Sequence, residues 1–148
     1  MAKTIWNAAD RQSLLERVAA LTSEAKPFWG KMSVAQMTRH CALAMQAATG
    51  ELAVKPKETF FRHWPVPGLL IYWLPWPKGA PTAPELLVTE TTDFAENQRL
   101  LQTTLERFAA RGETAAFVPH AAFGVLSRKD WGALTYRHVD HHLRQFGA

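Results

Sequence analysis

The chain has 148 residues, 47% of them hydrophobic and 20% charged, with one cysteine and a formal charge of +4. That length points to one domain over residues 1–148, a single Cys excludes an intrachain disulfide or a cysteine-rich zinc module, and ordinary Gly and Pro counts exclude fibrous and low-complexity classes. The basic residues are scattered with no run of five, so a nucleic-acid partner is not expected, and no apolar run reaches the ~18 residues of a membrane span.

Four helical stretches follow in chain order. The first runs from about Ala8 to Thr22, with Leu14, Val18 and Leu21 at helical spacing and Leu15 widening the stripe. Lys26-Pro27 stops it, because the residue before a proline is pushed out of the helical region. The second is capped by Ser33, with Gln36 completing a capping box. Val34, Met37, Cys41, Ala44, Met45 and Ala48 form its apolar face, and Gly50 is its stop.

Residues 51–92 hold seven of the nine prolines, together with Trp64, Trp73 and Trp76. A short helix around Leu69–Leu74 fits there, followed by a Pro-rich link through Pro84. A connection this long packs on the helices or forms a lid. Its position directly after the second helix leads us to expect it over the open end of a bundle. The aromatic cluster of 60–76 reads most simply as a packed cover or a homodimer face, with an apolar substrate pocket as the alternative. The third helix is capped by Asp93, lined by Phe94, Leu101, Leu105 and Phe108, and closed by Gly112. A loop holding His120 and Phe123 leads to the fourth helix, capped by Ser127 and running through Trp131 to about Phe146. With no strand signal, the expected fold class is all-α, a four-helix bundle with a long Pro/Trp-rich crossover between helices 2 and 3.

The chemistry lies in the six histidines. On a helical wheel, His138 and His142 fall about 20° to either side of Trp131, at the centre of the inward stripe, with Leu134, Thr135 and Gln145 on the same side. His141 falls about 80° off that centre. Asp140 points away, towards Arg144 at i+4. Two His at i and i+4 grip one ion from neighbouring turns, and neutral imidazole suits Zn, Ni, Fe or Cu. A third ligand has to come from another helix, and His40 is the best placed. Cys41 reads as a small buried hydrophobe. His63 has no identifiable partner, and His120 sits where it can reach the mouth of a site.

The stretch Trp29 to His40, holding Ser33, Gln36 and Met37, is similar to the second helix of the DinB/YfiT-like superfamily of candidate metalloenzymes. The closing stretch resembles its DUF1569 branch more closely, from Phe123-Gly124 through Trp131-Gly132 and Tyr136 to His138, His141, His142, Gln145 and Phe146. The branch carries Pro after the loop histidine, where this chain has Ala121. The resemblance implies a bundle of DinB/YfiT type and a divalent metal (Zn, Ni or Fe) held by His40, His138 and His142. His141, Gln145, His120 and Trp131 are then expected around the ligands or the substrate. Some superfamily members are transferases or isomerases that use a low-molecular-weight thiol. Three His ligands leave a metal position open, the catalytic pattern. The reading is a metal-dependent thiol transferase acting on a small molecule; a hydrolase and a non-catalytic metal- or ligand-binding bundle are the alternatives. Met1–Trp6 has no apolar leader, so a cytoplasmic location is expected.

Overall fold

The computed structural model describes residues 1–112 and 116–148. It is all-helical, with five α-helices: α1 (Ala8–Ala20), α2 (Val34–Ala48), α3 (Val66–Tyr72), α4 (Phe94–Arg111) and α5 (Arg128–Gln145). Single 3-10 turns lie at Phe60–Arg62 and Pro84–Leu86. There is no strand among the described residues, only an isolated bridge between His120 and Gly124.

The caps form as their residue types dictate. Asn7 accepts from the Asp10 amide at the start of α1, and Asp93 from the Glu96 amide at the start of α4. Ser33 with Gln36 and Ser127 with Asp130 make full capping boxes on α2 and α5. α1 ends two residues before the expected Thr22. Gln98 of α4 donates through Nε2 to the carbonyls of Val18 (2.8 Å) and Leu21 (3.2 Å), so the final carbonyls of the turn are satisfied from outside.

Helix α4 packs along α2, α1 lies against α4 and α5, and α2 also touches α5. Leu14 and Val18 of α1, Met37 and Cys41 of α2, Leu101 and Leu105 of α4, and Val139 and Leu143 of α5 interlock in one buried core. Burying such side chains contributes roughly 1.5–3 kcal/mol each, which offsets the ordering of the helices that carry them.

The four longer helices are joined by the short one expected in the crossover, which makes five among the described residues. α3 starts at Val66 rather than Leu69, with Pro67 in its first turn, where a missing N–H costs nothing. Seven residues are too few for an apolar period to be read, and a helix that short depends on docking. Ile71 supplies the buried contact. Arg137 of α5 donates to the carbonyls of Leu70 (2.9 Å), Ile71 (3.0 Å) and Leu74 (2.7 Å), and Tyr72 Oη donates to Asp130 Oδ1 (2.7 Å).

Trp6 ties the N-terminal segment to the α4–α5 connection. Its ring stacks on Phe108 (5.6 Å, 4°), and its Nε1 donates to the Arg128 carbonyl at 2.7 Å. Gly112 and Gly132 flank that ring, and a Cβ on either would lie well inside van der Waals contact with it. Gly112 therefore ends α4, but in a right-handed conformation (φ −62°); what it supplies is room. Gly132→Ala is expected to destabilise the fold by about 1–3 kcal/mol through overpacking, read as a lower urea midpoint at unchanged slope. An unchanged midpoint would show that Trp6 has somewhere else to go.

Candidate metal centre

His40 sits mid-α2 between the core residues Met37 and Cys41, and only 3% of it is exposed. A buried imidazole needs hydrogen-bond partners. Its Nδ1 lies 2.8 Å from the Leu86 carbonyl in the second 3-10 turn, and its Nε2 lies 3.0 Å from His138 Nε2. A carbonyl only accepts, so Nδ1 carries the proton and Nε2 of His40 presents a lone pair.

His142 reaches the same state by a different route. Gln145 Nε2 donates to the Trp29 carbonyl at 2.7 Å, which fixes the orientation of the Gln145 amide and turns Oε1 towards His142. His142 Nδ1 donates to that oxygen at 2.8 Å, and its Nε2 is left as a lone pair. Gln145 needs close quarters here: Gly30 has φ +81°, and a Cβ on it would lie 2.7 Å from Gln145 Nε2.

The three rings form a nearly equilateral triangle. Centroids are 5.0 Å apart for His40 and His138, 4.9 Å for His40 and His142, and 4.8 Å for His138 and His142. One ring nitrogen from each lies within 4.8 Å of the others. Nitrogens on a tetrahedral zinc are about 3.3 Å apart, given bonds of about 2.0–2.1 Å, so small side-chain rotations bring this set to ligating distance. The electrostatics fit as well. Burial lowers the pKa of all three rings, and each neighbouring ring lowers His138 further; His142 falls to about 3. Three neutral imidazoles facing one another are the donor set a divalent transition-metal ion needs.

The other histidines take separate places. His141 stands beside the triangle, half-buried, with its ring 5.3 Å from His142, 5.5 Å from Trp29 and 5.8 Å from Trp76. His63 is exposed. His120 Nδ1 accepts from the amides of Ala122 and Phe123, both at 3.1 Å. Burial and the Arg62 charge lower its pKa to about 4. Trp131 is buried two turns before His138, with its ring 5.5 Å from that of His120. Cys41 is fully buried and its thiol is pushed up, which makes it inert. Asp140 is turned away and pairs with Arg144 (3.0 Å) and with Arg17 of α1 (2.6 Å).

The crossover reaches the centre through Leu86 and through Trp76, whose ring is 6.1 Å from His138. Trp76 is held by a bond from its Nε1 to the Leu70 carbonyl (2.8 Å) and by the Arg137 guanidinium 5.4 Å over its ring. Trp64 and Trp73 take no part; they are 91% and 79% exposed. Sequence reasoning missed the carbonyls of Leu86 and Trp29. Backbone acceptors have no residue signature, although Gly30 beside Trp29 is a signal of close approach.

Two outcomes are expected. Gln145→Leu keeps the packing but removes the acceptor for His142, and metal affinity by calorimetry should fall about 10–100-fold. An affinity within twofold of the parent would mean that Gln145 does not orient His142. The second concerns acid. His142 (about 3) and His120 (about 4) have folded pKa values below the usual 6.5, so the unfolded chain binds protons that the folded chain does not. Stability of the metal-free protein is then full above about pH 6.5 and falls as pH drops towards 4. A melting temperature flat from pH 7 to 4 would contradict these depressed values.

No curated protein and no solved structure matches the chain. The family described as "Protein of unknown function (DUF1569)" matches residues 6–148, nearly the whole sequence including all three clustered histidines, and the chain belongs to that DUF1569 family.

Proposed function

We propose that His40, His138 and His142 hold a divalent metal (Zn, Ni or Fe) in a metal-dependent enzyme that transfers a low-molecular-weight thiol onto a small molecule. The observation that carries this reading is the triangle of ring nitrogens within 4.8 Å, two of them turned inward by oxygen acceptors on the opposite nitrogen. A bound divalent ion would supply Lewis acidity that deprotonates a coordinated thiol near neutral pH. The chain's own residues do the rest. The Leu86 carbonyl and Gln145 hold His40 and His142 in the ligating tautomer. Trp76 and His141 wall the site on the crossover side.

The thiol is preferred to water for one reason. Asp140, the one carboxylate within the His138–His142 run, is paired with two arginines and turned away, so it is not available as a base for water. The four long helices, the ligands on α2 and α5, and the long crossover also support a bundle of DinB/YfiT type. A cytoplasmic location, and a homodimer through the exposed aromatic face of the crossover, belong to the same reading.

Metal content per chain tests it, measured on untagged protein purified in parallel. His40→Ala, His138→Ala and His142→Ala should each lose the metal, and His141→Ala should keep it. Loss in His141→Ala with retention in His142→Ala would redraw the ligand set. Consumption of a small thiol in the presence of an electrophile, abolished in His142→Ala, tests the transferase. Stoichiometric metal without thiol turnover would leave a binding protein or a hydrolase.

A further inference from the structure

Two N–H donors on neighbouring rings outside the three-His cluster have no acceptor among the described residues. Trp131 is 5% exposed, and its Nε1 is buried without a hydrogen-bond partner among the described residues. Buried donors in native folds are almost always paired, and one that is not calls for an explanation. Its ring neighbours do not supply the acceptor. An N–H aimed at a ring face sets the two planes near perpendicular, whereas the indole is tilted 35° to Phe117 and 49° to His120.

His120 is the second donor. Its Nδ1 accepts two backbone amides, from Ala122 and Phe123, and so carries no proton. The neutral ring then carries its proton on Nε2, which makes no hydrogen bond among the described residues. The two rings are 5.5 Å apart. A positive charge stands by: the Arg62 guanidinium is held by the carbonyls of Lys57 (2.8 Å) and Ala121 (3.2 Å), the latter next to His120. The nearest carboxylate in sequence, Asp130, is occupied by Tyr72 and Ser127. Two neutral donors on neighbouring rings beside a cation, with Asp130 already occupied, suit a charged acceptor.

We propose that Trp131 Nε1 and His120 Nε2 form a subsite for a carboxylate on the small molecule used by the three-His centre. Trp131 precedes His138 by seven residues on one helical stripe, about 10 Å along the axis, so a small organic acid spans the two. The identity of that ligand as the centre's substrate rests on the reading above; the subsite itself does not.

Acetate is the probe. In the 15N-labelled, Zn(II)-loaded full chain, the indole resonance of Trp131 is the one missing from Trp131→Phe. It should shift saturably with sodium acetate at constant ionic strength, while that of Trp6, already bonded to the Arg128 carbonyl, stays in place. His120→Asn keeps an acceptor for the two loop amides but removes the Nε2 donor, and should weaken the response at least tenfold. A Trp131 resonance that does not move, or that titrates identically in His120→Asn, overturns the subsite. Repeating the titration on His142→Ala separates the two claims. A response there without metal supports the subsite whatever becomes of the metal reading, and stoichiometric zinc with no response removes the subsite alone.

Discussion

Imidazoles that burial and mutual repulsion keep uncharged set the terms for the middle of this molecule. His40 enters the core on α2 and meets His138 and His142 from α5 at ring separations near 5 Å. Protonating one ring costs more when the next is charged, and burial raises that cost again. The rings therefore face one another as neutral bases, and each needs something to hold its remaining proton. That need determines what lies around them. The second 3-10 turn must bring the Leu86 carbonyl to His40, and the end of α5 must fold so that Gln145 reaches both His142 and Trp29.

Seen this way, the crossover is part of the centre as well as a connection. Its two ends do different work. Arg137 of α5 gathers three carbonyls from α3 and the residues just after it, and so anchors a helix too short to hold itself. The same arginine lies over Trp76, which faces His138 and His141. One side chain on α5 thus docks the crossover and positions its aromatic wall. Trp64, Trp73 and Phe60 remain outside this arrangement and leave an apolar face exposed.

The loop before α5 is built on the same economy of protons. His120 uses Nδ1 to hold two amides, which fixes the turn into Phe123 and Gly124. That choice of tautomer leaves a donor on Nε2, on a ring 5.5 Å from that of Trp131, whose indole N–H is also unpaired among the described residues. No helix among the described residues is long and apolar enough to cross a membrane.

Much of this was legible in the order of residues. The apolar stripes of α1, α2 and α4 follow from 3.6-residue spacing, and the caps at Ser33, Asp93 and Ser127 follow from side chains that reach back to their own helix. The i, i+4 spacing of His138 and His142 singled out that pair over His141, because both are local properties of one helix. What the tertiary structure decided is everything that joins distant segments. The Leu86 and Trp29 carbonyls are backbone groups that any residue offers. The roles of Gly112 and Gly132 depend on a tryptophan more than a hundred residues away. α3 exists because Arg137 and Asp130 of α5 meet it across the fold. Periodicity reports which face of an element is buried; which partner fills the space opposite is set by packing between elements, and no local pattern encodes it.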